Sequence, residues 1–253
     1  MAVSVVEPYP SRHIRVIGNP APLGLFCFGS NALISSLFSV QVRHIIVPNV
    51  IVAVALGGGG CGLLVAGQWE FLRGNTFRGS AFSSYAGFWI SYALIYLPTT
   101  GVLAAYQNDP TGELDSALGI YFMAWFILSA IFLAAALRTN VLSISLFSCI
   151  TIKFFLLGLG TFFQSSILTK VAGGFGIGSA AFAYYSACSQ LLNKHNEYIT
   201  LPVGQFLHHH DHDHFHLQVL HFKSRDGSRN ATEDVGIPEK DSDADSNDSK
   251  KVM

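Results

Sequence analysis

Gly18-Asn19-Pro20-Ala21-Pro22-Leu23-Gly24-Leu25-Phe26-Cys27-Phe28-Gly29 marks the point where a polar N-terminal arm gives way to the first long apolar run. Asn19 is a helix-capping residue type, whose side-chain oxygen accepts a backbone N–H that a helix start leaves without a partner. Pro20 and Pro22 suit a first turn, where a missing N–H is not needed and φ is already near the helical value. The glycines and the lack of charge let another helix or a small solute come close to the backbone. On physical grounds the stretch is a helix N-terminus entering a membrane, with its partial positive end open to an anion.

Working outward, composition points the same way. Half of the 253 residues are hydrophobic and only 12% are charged, where soluble domains carry about 25%. Between Gly18 and Asn193 the charges reduce to Arg43, Arg73, Arg78, Arg138, Lys153, Lys170, Glu70, Asp109, Glu113 and Asp115. Such a chain reads as an integral membrane protein. The net charge is −1 and no basic stripe with interleaved aromatics occurs, so nucleic acid is not an expected partner. Cys27, Cys61, Cys149 and Cys188 all lie inside apolar runs and read as small buried thiols, with no disulfide framework or zinc site. No cleavable signal peptide is expected, because the first apolar run is too long and Glu7, Pro8 and Pro10 precede it.

Six apolar runs follow, at about 21–41, 45–69, 80–105, 117–137, 141–168 and 171–192. Each approaches the roughly 20 residues that cross about 30 Å of hydrocarbon. Backbone removed from water must bond within its own segment, so the runs are expected as helices, joined by short turns that include one near Lys170. The predicted fold is an all-α integral membrane protein with six transmembrane helices. Arg12, Arg15, Arg73, Arg78, Arg138 and Lys194 fall on one side, against Arg43 and Lys170 on the other, which also carries Asp109, Glu113 and Asp115. That asymmetry places both termini in the cytosol. The organisation expected is a cytosolic arm (1–17), a transmembrane domain (18–193) and a cytosolic tail (194–253), the last with His208, His209, His210 and His212 in a histidine tract and a disordered polar end.

Asn19-Pro20-Ala21 is also the aquaporin triplet, but an aquaporin needs two, the second followed by an arginine, and here it occurs once. The longer Asn19-Pro20-Ala21-Pro22-Leu23-Gly24-Leu25 resembles the signature of the acetate uptake transporter family, which includes the bacterial succinate–acetate permease and fungal acetate and ammonia-export proteins. Val47-Pro48-Asn49-Val50, Gly74-Asn75-Thr76-Phe77, Ser83-Ser84-Tyr85-Ala86-Gly87-Phe88-Trp89 and Leu118-Gly119-Ile120-Tyr121 continue the resemblance across about 18–192. It implies a six-helix protomer with its own pore, assembled as a hexamer. It also implies a plasma-membrane transporter or channel for acetate and similar short monocarboxylates, coupled to protons or moving the acid, with ammonium export or sensing as the alternative. The family's narrow apolar waist carries over to Phe28, Tyr85 and Ile150.

Several residues stand beside that pattern. Lys153 lies near the middle of the fifth run, too far from either end for its side chain to reach water. At the bilayer centre a lysine costs roughly 2.5–3.5 kcal/mol, so it should face a cavity or a partner: a substrate carboxylate on the functional reading, or, on the structural one, a neutral desolvated amine or a hydrogen bond to backbone carbonyls. The family pattern is uncharged there. Thr161 stands where the bacterial permease has asparagine and is a second binding candidate, with Asn19 at the pore mouth. Gly57-Gly58-Gly59-Gly60-Cys61-Gly62 reads as close helix packing, or as a break whose carbonyls line a cavity. Glu70 closes the second run as a membrane-edge carboxylate, paired with Arg73 or coupling protons. The histidines of the tail could hold a metal ion only in a flexible segment, which gives no fixed catalytic shell. No helix-borne histidine pair or Ser–His arrangement lies within the runs, so neither enzymatic activity nor a cofactor is expected.

Overall fold

The computed structural model describes residues 17–45, 47–108, 111–192, 201–202 and 204. The arm to residue 16, Asp109 and the histidine tract with His208, His209, His210 and His212 lie outside the described residues. All described residues belong to one unit, Met1–Phe206.

Six long helices make up that unit: α1 (Ala21–Ser39), α2 (Val50–Leu72), α3 (Thr76–Tyr96), α4 (Glu113–Ala136), α5 (Val141–Phe162) and α6 (Ser166–Leu191). Short polar side chains start three of them. Asn75 accepts from the Arg78 N–H, Asn140 from the Ser143 N–H and Ser165 from the Leu168 N–H, each satisfying one orphan donor of a first turn. At α1 the cap residue is Pro20, one place later than Asn19, yet Asn19 Oδ1 still takes the Ala21 N–H at 3.2 Å.

Five of the six are long and apolar enough to cross a membrane: α1, α2, α4, α5 and α6. The exception is α3, whose serines and tyrosines lower its hydropathy while Phe82, Tyr85, Phe88 and Trp89 are buried. Two boundaries differ from the sequence reading. The third helix stops at Tyr96, because Leu97 before Pro98 takes an extended backbone (ψ 120°). The turn expected near Lys170 falls instead at 163–165, where Gln164 adopts φ 49° and Ser165 caps the next helix, leaving Lys170 inside α6.

The helices pack in a ring. Neighbours meet in the order α3, α2, α1, α6, α5, α4, and Trp125, Ser129 and Phe132 of α4 close back onto Phe88 and Tyr85 of α3. Within α2, Ala55–Gly62 is π-helical, a local widening that often accompanies function. Of the two readings of the glycine cluster, close packing is the one seen, since none of residues 57–62 lines the four cavities described below. The helix is locally rewound, and a Cβ at Gly59 would collide with the Trp89 side chain. Small residues thus bring α2 and α3 together at the height of the ring's centre.

Candidate functional site

Four cavities follow one another along the inside of the ring. The first, about 140 Å³, is bounded by Phe28, Arg78, Tyr85, Ile150 and Gln190 among others, from the N-terminal halves of α1, α3 and α5 and the end of α6. The second, about 20 Å³, shares Phe28, Tyr85 and Ile150 with the first and adds Trp89 and Lys153. The third, about 130 Å³, shares Trp89 and Lys153 and adds Ser35, Ser39, Tyr92 and Phe122. The last, about 470 Å³, shares Ser39, Tyr92 and Phe122 and reaches Asp115, Thr161 and Lys170 at the opposite helix ends. Every one is walled in part by α3, through Arg78, Tyr85, Tyr92 and Tyr96 among its polar side chains.

Phe28, Tyr85 and Ile150 therefore come together, as one constriction between the first two cavities. The rings of Phe28 and Tyr85 meet edge to face at 5.6 Å, a favoured aromatic geometry. All three side chains are buried, Ile150 at 2% exposure. The 20 Å³ cavity behind them admits little more than one water, which needs about 10–15 Å³. The waist is closed. The Tyr85 hydroxyl pairs with Ser129 Oγ at 2.9 Å, which orients the ring.

Beyond the waist, Lys153 Nζ donates to Ser35 Oγ at 3.1 Å and Ser36 Oγ at 3.0 Å. No carboxylate forms an ion pair with it among the described residues. Gly176 makes room for this arrangement, since a Cβ there would run into Ser36 Oγ and lie 2.9 Å from Lys153 Nζ. An ammonium has three donors, and hydroxyls take two. Nearby, the buried Trp89 Nε1–H has no partner among the described residues. Lys153 and Trp89 both line the second and third cavities, and Lys153 keeps one N–H beyond its two serine partners, a donor able to receive an oxyanion. Thr161 is separate: it lines the outermost cavity, its hydroxyl donating to the Leu157 carbonyl at 2.8 Å.

The other end departs further from expectation. Glu70 is fully buried, and its nearest ion-pair partner is Arg78 at 4.0 Å, in place of Arg73. Neither carboxylate oxygen has a hydrogen-bond partner among the described residues. Arg73 turns away to donate to Asn19, which is exposed and ties the start of α1 to the end of α2. Arg78, not singled out from sequence, lines the first cavity and donates to Gln190 Oε1 at 2.9 Å. The only cue was its position in the first turn of a capped helix.

Comparison with known proteins agrees with this architecture. Residues 3–208 match the GPR1/FUN34/yaaH family. Accumulation of dyads protein 2 of Saccharomyces cerevisiae is 37% identical over 186 residues, 74% of this chain and 65% of that protein. Acetate permease A of Emericella nidulans is 34% identical, over 78% of this chain and 70% of that protein. The succinate-acetate/proton symporter SatP of Escherichia coli is 31% identical, over 75% of this chain and 96% of that protein. The solved structure of the bacterial acetate channel SatP superposes with a TM-score of 0.66 at 28% identity, covering 75% of this chain and 100% of that one. The chain spans just under two thirds of the first yeast relative. With a match over most of its length and a fold shared with a solved member, this chain belongs to the GPR1/FUN34/yaaH family.

Proposed function

We propose that this protein is a membrane transporter or channel for acetate and similar short monocarboxylates, with its pathway inside each protomer. The observation that carries the reading is the line of four cavities, with Phe28, Tyr85 and Ile150 meeting between the first two. A bare carboxylate entering a dry apolar constriction loses its hydration at high cost. An acid with an ordinary pKa near about 4 is mostly anionic at neutral pH, so passage calls for a proton or for polar groups on either side. Lys153 is the group for the far side, with Trp89 beside it. Glu70, buried and unpaired in hydrogen-bond terms, is the candidate proton carrier. In this reading α3 is the sixth spanning helix, lining the pathway. Both termini face the cytosol, and six copies assemble in the plasma membrane.

Relatives named for outward ammonia transport, such as Ammonia transport outward protein 2 of Saccharomyces cerevisiae (34% identical), favour a second reading, since an apolar waist also suits neutral ammonia. Reconstituted liposomes separate the two. Uptake of labelled acetate, accelerated by an inwardly directed proton gradient, is the expected result. Acetate exclusion with methylamine passage would favour the second.

A further inference from the structure

We infer that Arg78 forms a second carboxylate station, on the opposite side of the waist from Lys153. The first cavity has the shape and chemistry for a short amphipathic anion. Its floor is aromatic and apolar, from Phe28, Tyr85 and Phe147, and Arg78 with Gln190 supplies its polar wall. Gln190 takes one of the five guanidinium N–H donors at 2.9 Å. Glu70 lies 4.0 Å away, beyond the 2.7–2.9 Å or so of a charge-assisted bond. It balances the guanidinium without consuming its donors.

The charge balance around this cavity favours an anion. Among its lining residues Arg78 is the one that carries a charge, and Glu70, 4.0 Å from the guanidinium, does not line the cavity. A substrate carboxylate on Arg78 would lay its alkyl part against the aromatic floor, one layer from Ile150. With Lys153 across the constriction, the anion has a fixed cation at each mouth of the waist, and only the waist itself is crossed without one. Ammonium ion meets repulsion at both places. The pathway is therefore selective for carboxylates over cations, with Glu70 as the internal competitor that weakens the Arg78 station and lets the anion leave.

The identity of the ligand rests on the transport reading above, so the test uses one readout that needs transport and one that does not. Purified protein is heated in increasing acetate, and the same preparations are reconstituted for uptake of labelled acetate. Arg78→Gln is expected to raise the acetate concentration needed for half-maximal thermal stabilisation, and for half-maximal uptake, by about tenfold, the loss of one charge-assisted bond. Arg78→Lys recovers part of it. Glu70→Gln is expected to act in the opposite direction on stabilisation, lowering the acetate required, which a merely structural role for the pair does not predict. Unchanged acetate dependence in Arg78→Gln, or the same direction of change in Arg78→Gln and Glu70→Gln, overturns the station. Acetate stabilisation that follows this pattern without any wild-type uptake leaves the station standing and removes transport.

Discussion

Helices α3 and α4 invert the rule that governs soluble proteins. α4 is the more apolar of the two and the more exposed: Ile120, Ile127 and Ile131 are 60–65% open. α3 carries the serines, tyrosines and Arg78, yet buries Phe82, Tyr85, Phe88 and Trp89. In a bilayer the solvent is hydrocarbon, so apolar side chains gain nothing by hiding from it, and polar ones turn to the interior or to a cavity. The most polar helix is therefore the one around which the site is built: Arg78, Tyr85, Tyr92 and Tyr96 line cavities, while Ser83 and Ser91 bond to Gln68 and Tyr121 of the neighbouring helices.

Four substitutions break or sharpen that contrast. Trp89→Ala on α3 removes a ring packed against Phe88 and the α2 glycines, and should cost about 3–5 kcal/mol, read as a fall in melting temperature of the purified protein. Ile127→Arg on the outer face of α4 should oppose insertion by roughly 2.5–3.5 kcal/mol, measured as the integrated fraction in a translocation assay. On the seam between the two helices, Ser129→Ala leaves the buried Tyr85 hydroxyl without its partner and should cost about 1–3 kcal/mol. Ile127→Ala should alter stability by no more than about 0.5 kcal/mol, as at a surface position. A larger loss would mean that protein, not lipid, covers that face, which a crosslinking ladder of the reconstituted oligomer would reveal.

How much of this was legible without coordinates depended on how local each signal is. The entry of α1 was readable because capping and first-turn chemistry act within a few residues, and Asn19 still takes a backbone N–H although the cap shifts by one. That Phe28, Tyr85 and Ile150 meet could be expected only through resemblance, since nothing in their chemistry distinguishes a gate from packing. Lys153 announced itself by its charge, but its anchors Ser35 and Ser36 are 118 and 117 residues away. The Glu70–Arg78 pair was missed because a tight turn at 73–75 folds α3 back along α2, bringing Arg78 nearer to Glu70 than Arg73. The break at 163–165 was missed for a different reason. It contains no glycine or proline, and the left-handed turn is made by Gln164.

The central claim is that substrate crosses the ring through the contact of Phe28 with Tyr85 and Ile150. Phe28→Ala joins the 140 Å³ and 20 Å³ cavities by removing the ring that separates them. In proteoliposomes matched for folded protein, the variant should pass labelled acetate faster and should raise the passage of bulkier monocarboxylates, such as benzoate, relative to acetate. An acetate rate and a size cut-off both identical to wild type would contradict the account, because the pathway would then run elsewhere.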